Sequence, residues 1–466
     1  MRFLGNFFYG YLYKSFEVWL GYYYRWNREK HTTGLEKVPE GVPLIVCSNH
    51  PNAFMDAIML GTTMKRRSWF LARSDAFRKK ALANFLTFIG IIPIYRLLEG
   101  AENLQKNDET FDKCSKMLEE KKAIMIFSEG LCIQERRLRK LKKGTARIAF
   151  GSEEKNNFDL GLMIIPAGIN YSSTPWRFRS TVHVEFGDPF PLSDYKELYL
   201  QDKARAMNVF TRDLEAKMKE RIVVIENKEN DELVNTVEEI LMEDWSKAAN
   251  LDPKNQKDTH IISKKIASVV NQADANEPQL VRSLAEKAKS YNQSLKKHGL
   301  RDWLLKPFVI QAMGPATLLS DFLFFFFLFP FWIFGVVTNY VPYKLPNIIT
   351  KKAIKHVEWY ASINGTAGVY IWQIYYGLSL LAVALIFRNW YLLGAFAVLM
   401  PLCGVIAQAY WVRMKKSRGR GALMKAFKKE RGEVEKMIAL RAELVEEMEA
   451  WALKYSNPVS QHAKSS

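Results

Sequence analysis

The amino-acid sequence predicts an α/β fold: a mostly parallel sheet flanked by helices, with a helical extension and C-terminal membrane helices. Two observations support this interpretation. Short apolar runs alternate with helical patterns between about residues 42 and 190, which is typical of a parallel sheet. Longer apolar runs follow residue 304, and two of them are close to the roughly 20 residues that a membrane-spanning helix needs.

Six apolar segments are predicted to be buried strands. Each is short, and turn-forming or charged residues lie at its ends. The segments are 43–49, 68–74, 91–96, 123–129, 162–171 and 181–187. Helical patterns lie between them, most clearly at 102–121 and 144–154, as expected for strands joined by crossover helices.

Helices are expected on both sides of this region. Residues 1–34 mix aromatic residues with Lys14 and Glu17, which indicates an amphipathic helix that either lies on a membrane surface or packs on the sheet. Residues 196–303 have many charged residues, with apolar residues three or four positions apart, so we expect a charged helical subdomain there.

The membrane region is predicted at 304–413. Spans are expected at 368–387 and 390–412, whereas Pro330 favours a re-entrant segment at 308–341. Lysines in the loop before the first span and the basic run after the second indicate that both are cytoplasmic. We therefore expect an integral membrane protein with its N-terminal domain on the cytoplasmic face. A third full span stays an alternative, and 414–466 is expected to be a basic, then mixed-charge, helical tail.

The formal charge of +18 indicates a polyanionic partner. The apolar runs favour anionic membrane lipid, and no nucleic-acid-binding motif is present, so we expect no nucleic-acid partner. The four cysteines have no metal-ligand spacing. We therefore expect reduced packing thiols and no metal at the site described next.

A histidine and an aspartate follow the first predicted strand closely. His50 precedes Pro51, which disfavours helical geometry at His50 and suits the first turn of a helix that begins there. Side chains lean toward the N-terminus of a helix, so Asp56 can reach back to the imidazole. This pair is expected to be catalytic, because a carboxylate-oriented histidine can take a proton from a hydroxyl group. Backbone amides at 52–54 are candidates to stabilise an oxyanion.

Three further segments follow in a fixed order. Residues 90–96 end in Arg96, whose guanidinium could bind phosphate through two donors. Glu129 ends the fourth predicted strand and Gly130 follows it, and residues 163–168 form an apolar strand that contains a proline.

Together with Asn49-His50 and Asp56, these segments resemble the four sequence blocks of the glycerolipid (lysophospholipid) acyltransferase superfamily. The resemblance covers about residues 35–195, which would then be the catalytic domain. Five residues separate His50 from Asp56, one more than is usual in that family. This spacing is similar to the fungal-type glycerol-3-phosphate/dihydroxyacetone-phosphate acyltransferase branch.

The resemblance also implies roles for the binding residues. Arg96 would bind the acceptor phosphate, and Glu129 with Gly130 would hold the glycerol end beside Asn49. The family's third block carries an arginine that is missing here, since Leu131 and Cys132 follow Gly130. Three cations could replace that arginine: Arg136, Arg137 or Lys142.

The function implied is transfer of a fatty acyl group in phospholipid biosynthesis. The donor would be an acyl thioester, either acyl-CoA or an acyl carrier protein, and the acceptor the hydroxyl of glycerol-3-phosphate or dihydroxyacetone phosphate. No cofactor beyond the donor is expected. Two alternatives stay open: a 1-acylglycerol-3-phosphate (lysophosphatidate) acyltransferase, and a non-catalytic lipid-binding membrane protein, which the altered third block favours.

Overall fold

The computed structural model describes residues 2–24, 26–64, 66–95, 106–172, 180–354 and 356–455. The chain divides into two compact units. The sheet unit comprises Met1–Val224, Lys254–His260 and Ile354–Gly365, and the helical unit comprises Ile225–Pro253, Ile261–Ala353 and Thr366–Ser466.

The sheet has the strand order β1-β7-β6-β2-β5-β3-β4, with β8 paired to β6. Strands β7 and β8 run antiparallel to β6, and the other pairs are parallel. All six predicted strands are present, so the mostly parallel α/β sheet is confirmed. The strands are β1 (Thr32–Thr33), β2 (Leu44–Ser48), β3 (Ser68–Arg73), β4 (Ile91–Ile94), β5 (Ala123–Phe127), β6 (Met163–Tyr171), β7 (Val182–Phe186) and β8 (Phe190–Pro191).

Helices cover both faces of this sheet. They are α1 (Arg2–Tyr24), α2 (Arg28–His31), α3 (Ala53–Thr63), α4 (Lys80–Phe88), α5 (Lys106–Glu119), α6 (Gly144–Lys155), α7 (Lys196–Gln201) and α8 (Lys203–Lys219). Alternate strand residues face opposite sides. Side chains such as Ile45 pack with Phe150 of α6 and Phe210 of α8. On the other face Val46 packs with Met59 of α3 and Leu20 of α1, so α1 lies against the sheet through its C-terminal part.

Parallel pairing brings two chain segments to the same edge of the sheet. Ser48, the last residue of β2, pairs with Phe127, the last residue of β5. The residues that follow each strand, beginning with Asn49 and Ser128, therefore emerge side by side at the carboxyl edge, where open α/β sheets commonly bind ligands.

The helical unit contains the apolar helices and most of the predicted charged subdomain, whereas residues 196–224 and 254–260 of that subdomain belong to the sheet unit. Its helices are α9 (Asp231–Ala248), α10 (Gln256–Asn276), α11 (Pro278–Lys297), α12 (Pro307–Gln311), α13 (Pro315–Ala353), α14 (Tyr360–Phe387), α15 (Trp390–Lys429) and α16 (Arg431–Tyr455). The first residues of α10 and of α14 belong to the sheet unit.

Three of these helices, α13, α14 and α15, are long and apolar enough to cross a membrane. The break that we expected at Pro330 is absent, because α13 continues through Pro330 as one 39-residue helix. Proline is tolerated in apolar helices whose neighbours compensate for the lost hydrogen bond. Close packing on α15 holds the helix: Asn339 Nδ2 donates to Met400 O at 2.9 Å, and a Cβ at Gly335 would overlap Cys403 O. The number of membrane crossings stays a prediction.

Candidate active site

His50 and Asp56 form a hydrogen-bonded pair at the carboxyl edge of the sheet. His50 Nδ1 lies 3.0 Å from Asp56 Oδ2, the aspartate side chain is fully buried, and the histidine side chain is 19% exposed. Asp56 Oδ2 also accepts the backbone amide of Asn52 at 2.6 Å. The carboxylate thus orients the imidazole, and Nε2 becomes the nitrogen that can take a proton from a reactant.

Tyr171, the last residue of β6, completes the set of hydrogen bonds on the aspartate. Its hydroxyl donates to Asp56 Oδ1 at 2.9 Å. Burial of the hydroxyl, and secondarily the nearby Asp56 charge, raises the pKa of Tyr171 well above its ordinary value, so it stays a hydrogen-bond donor. Sequence reasoning missed this residue. Its position at the end of a strand that neighbours β2 was the available signal.

The plane of the imidazole is set by Phe127, the last residue of β5. The two rings lie parallel, with centroids 3.9 Å apart and an interplanar angle of 10°. This contact and the hydrogen bond to Asp56 together restrict the rotation of the His50 side chain, which prepares it for proton transfer.

Glu129 joins the histidine to the loop that follows β5. Its Oε1 accepts the backbone amide of His50 at 3.0 Å, and its Oε2 accepts that of Arg139 at 3.2 Å. Burial raises the pKa of Glu129, although the two amide hydrogen bonds oppose this effect. The carboxylate therefore ties two backbone segments together, and the role in acceptor binding that the family implies stays a prediction.

Gly130 and Lys142 lie next to each other beside this glutamate. Gly130 has a φ of +69°, which favours glycine, and a Cβ there would lie 3.3 Å from Lys142 Cγ. The backbone amide of Lys142 donates to Ser128 O at 2.8 Å. The loop is thus closed onto the turn that carries Glu129.

The side chain of Asn49 is hydrogen-bonded to the backbone of β6. Its Nδ2 donates to Ile169 O at 3.0 Å, and its Oδ1 accepts the amide of Ile169 at 2.8 Å. The two bonds anchor the residue before the histidine to β6. The side-chain amide of Asn49 is therefore bonded to backbone, and the role in substrate binding that the family implies stays a prediction.

The structure describes only some of the residues that were predicted to bind the acceptor phosphate. Arg96 lies outside the described residues. Arg137, one of the candidates for the missing arginine, has its Nε 3.6 Å from Glu135 Oε2. A further arginine, Arg139, donates to the same oxygen at 3.1 Å. Sequence reasoning did not single out Arg139, whose backbone is joined to His50 through Glu129. The loop from 131 to 143 is thus bonded through Glu129 to the turn that carries the dyad.

Two of the three backbone amides that we expected to stabilise an oxyanion already have partners, and such a role for the third, that of Phe54, stays a prediction. The amide of Asn52 is bonded to Asp56, and that of Ala53 donates to Cys132 Sγ at 2.9 Å. The hydrogen bonds of these two amides hold the backbone of the turn in place. Cys132 was considered only as a packing thiol, yet it holds the start of α3.

Ser362, in the first turn of α14, also contacts this turn. Its Oγ accepts the amide of Met55 at 2.9 Å and donates to Asn52 O at 3.1 Å. The side chain is buried. Nothing local in the sequence indicates this contact, because the two segments are 307 residues apart.

Comparison with known proteins gives a family model and a solved structure that are similar to part of the chain. Residues 30–170 match the family model described as Acyltransferase. A structure of a 1-acyl-sn-glycerophosphate (LPA) acyltransferase, PlsC, from Thermotoga maritima is similar, with 16% identity over 40% of this chain and 70% of that chain and a TM-score of 0.27. No curated protein sequence matches.

The oriented His–Asp pair lies inside the segment that matches the acyltransferase model, which supports acyltransferase chemistry at this turn. The matched segment, residues 30–170, is less than a third of the chain and lies within the sheet unit.

Proposed function

We propose that this chain is a membrane-bound O-acyltransferase that moves a fatty acyl group from an acyl thioester to the hydroxyl of glycerol-3-phosphate or dihydroxyacetone phosphate. The observation that carries the proposal is the His50–Asp56 hydrogen bond of 3.0 Å, in which the aspartate is buried and the histidine partly open to solvent. Such a pair suits direct attack by a substrate hydroxyl, without a serine nucleophile.

The reaction follows from this geometry. His50 Nε2 takes the proton of the acceptor hydroxyl while Asp56 stabilises the imidazolium. The acceptor oxygen forms a bond to the thioester carbonyl carbon, and collapse of the tetrahedral intermediate breaks the carbon–sulfur bond. The imidazolium then returns its proton to the thiolate, so that ester and free thiol leave and the dyad is restored.

The acceptor phosphate needs cations within reach of the dyad. Arg139 and Arg137 share Glu135 in the loop that Glu129 joins to His50, so a phosphate can compete with Glu135 for their guanidinium groups. Lys142 beside Gly130 and, by family resemblance, Arg96 complete the proposed phosphate site. The donor would be acyl-CoA or an acyl carrier protein.

The lipid product requires a membrane, and the three long apolar helices are compatible with integral association. We place the catalytic domain on the cytoplasmic face, where both proposed donors occur. The positive charge of +18 would attract anionic lipid, the acceptor and the donor alike.

An acceptor assay tests this proposal. The full chain, reconstituted in vesicles that contain anionic lipid, is given labelled palmitoyl-CoA with glycerol-3-phosphate, dihydroxyacetone phosphate or lysophosphatidate. We expect ester formation with one of the first two acceptors, abolished in His50→Gln and kept in the control His298→Gln. His298 is a suitable control because it too pairs with a carboxylate: its Nε2 lies 2.8 Å from a Glu430 oxygen. This pair belongs to the helical unit.

Two other outcomes would redirect the proposal. Turnover of lysophosphatidate alone would make the chain a second-step acyltransferase with the same dyad. If all three acceptors stay unchanged while the protein binds the vesicles, the chain would be a non-catalytic lipid-binding protein and the proposed activity would be wrong.

A further inference from the structure

Three buried side chains with metal-binding atoms converge on the sheet unit, far along the chain from the dyad residues. His183 and Glu185 lie on β7, and His260 lies in the first turns of α10. Each offers one ligand atom, and these atoms all lie within 4.8 Å of one another. The three residues are only 3%, 9% and 6% exposed.

The fold brings these residues together in two ways. His183 and Glu185 are two positions apart on a strand, so their side chains share one face. On the same side, Asn170 of β6 binds the segment after α8: its Nδ2 donates to Arg221 O at 3.0 Å, and its Oδ1 accepts the amide of Val223 at 2.9 Å. Gly168 permits this approach, because a Cβ there would overlap Arg221 O.

The hydrogen bonds around the cluster resemble those of a metal site. His260 Nε2 lies 3.0 Å from Glu185 Oε2, so both atoms face the point where the three groups meet. His183 Nε2 lies 3.2 Å from Thr33 Oγ1, so Nδ1 is the ring nitrogen that would bind a metal while this contact is kept. Histidine ligands usually bind a metal through one nitrogen and hydrogen-bond through the other.

The local charge is also compatible with a cation. Arg221 forms ion pairs with Glu185 Oε1 at 3.1 Å and with Glu220 at 2.9 Å. Two carboxylates therefore share one guanidinium, and these three residues carry a net negative charge. Arg221 also holds the Glu185 carboxylate so that Oε2 points toward His260.

We propose that His183, Glu185 and His260 bind a divalent transition metal of the zinc class. Two imidazole nitrogens and one carboxylate oxygen are a donor set that zinc binds, at distances of about 2.0–2.2 Å with a fourth position open to water. Small side-chain movements bring the three atoms to that spacing. The metal would replace the His260–Glu185 hydrogen bond, lying to one side of the line that joins the two atoms, and it would fasten the start of α10 to β7.

Metal binding can be measured without any substrate, so the result is independent of the proposed acyltransferase activity. The full chain is purified in detergent with an affinity tag free of histidine, stripped with a chelator, and titrated with Zn²⁺ in competition with a chromophoric indicator. We expect about one equivalent to bind tightly, and Co²⁺ to give the visible absorption of a four-coordinate site. Zn²⁺ should also raise the Tm.

Two ligand variants and one control identify the site. His183→Gln and His260→Gln should weaken Zn²⁺ binding by roughly 100-fold or more, since even outer hydrogen-bond partners of ligands are worth 10–100-fold. His298→Gln should leave binding unchanged. Its pair with Glu430 is a histidine–carboxylate contact outside the one candidate metal group found among the described residues.

Thr33→Val keeps all three proposed ligands, so it tests the site even if the ligand variants do not fold. It should weaken Zn²⁺ binding by about 10-fold through the lost hydrogen bond to His183, with circular dichroism unchanged. If the unaltered chain binds no Zn²⁺, the group is an ion-pair cluster only and the proposal fails. Equal binding by the control and by folded ligand variants would place the metal elsewhere and overturn it as well.

Discussion

The hydroxyl of Tyr171 donates a hydrogen bond of 2.9 Å to Asp56 Oδ1, on the carboxylate whose other oxygen lies 3.0 Å from His50 Nδ1. The tyrosine comes from β6 and the histidine from the end of β2, so neighbouring strands hold the two ends of one hydrogen-bonded chain. The orientation of the proposed base therefore depends on the pairing of these strands as well as on the local turn.

Replacement of Tyr171 by phenylalanine tests this dependence. The change removes one hydrogen bond from a buried carboxylate, which is worth about 1–2 kcal/mol and corresponds to a loss of roughly 5–30-fold in kcat. KM for the acceptor should change little, because the hydroxyl contacts the aspartate. Steady-state kinetics of Tyr171→Phe beside the unaltered enzyme measures both parameters, and an unchanged kcat would contradict the proposed role.

A larger effect is expected from Asp56→Asn. The amide has almost the same shape, but it carries no charge to stabilise the imidazolium. If its NH₂ group faces His50, Nδ1 must accept that hydrogen bond and the imidazole takes the wrong tautomer. By analogy with other carboxylate–histidine pairs, kcat should fall by about 10³–10⁴-fold. Single-turnover measurement with palmitoyl-CoA gives the rate of the chemical step. A loss of under tenfold would mean that His50 is not the base.

Gly130→Ala separates backbone strain from contact with Lys142. A positive φ costs an alanine about 1 kcal/mol, and the new methyl group would also press on the Lys142 side chain at 3.3 Å. Gly161→Ala is the matched control, since Gly161 has a φ of +70° and its Cβ would meet no atom within 4 Å. Both variants should lose similar stability in urea unfolding, but only Gly130→Ala should lower kcat/KM.

The raised pKa of Glu129 predicts a pH dependence of stability. Because the folded protein holds the Glu129 proton more tightly than the unfolded chain, this group contributes stability below its ordinary pKa of 4.5, and the contribution is lost as pH rises through the folded pKa. The stability difference between the unaltered protein and Glu129→Gln should therefore become less favourable to the unaltered protein as pH increases from about 4.

Urea unfolding in detergent at several pH values measures this difference. Glu433→Gln serves as the control with the opposite sign, since Lys436 lowers the pKa of Glu433 and its contribution is lost as pH falls. A Glu129 difference that grows with pH would show that its amide hydrogen bonds outweigh the effect of burial.

Ser362→Ala tests the contact between the first turn of α14 and the turn that carries the dyad. Loss of the Oγ atom removes one partner each from the Met55 amide and Asn52 O, which keep their mutual hydrogen bond of 3.1 Å, so the expected cost is about 0.5–1.5 kcal/mol. We expect lower kcat and lower Tm. Ser379→Ala, which removes a bond to Tyr375 O within the same helix, should affect Tm at most.

Features that depend on residues close together in the chain could be predicted from the sequence. The six strands were found because each is an apolar run with polar ends, and the His50–Asp56 pair because both residues belong to one strand-to-helix turn. Tyr171 and Ser362 were missed because they lie 115 and 307 residues from their partners at the turn. Spacing in one sequence carries no signal at such separations.

Two further differences between prediction and structure also come from contacts between residues that are far apart in the chain. The predicted break at Pro330 failed because packing between α13 and α15, seen at Gly335 and Cys403, supports a continuous helix where proline alone would interrupt it. The candidate metal ligands were not recognised because Glu185 and His260 are 75 residues apart.

The turn that bears the imidazole contains an alanine with left-handed backbone geometry. Ala53 has a φ of +41°, a conformation that glycine adopts without penalty but that costs an alanine roughly 1 kcal/mol. A glycine at this position would relieve that penalty, yet it would also let the peptide sample many more shapes before α3 begins. Alanine thus accepts this strain in return for fewer accessible backbone conformations beside His50, which would keep the proposed base in one orientation.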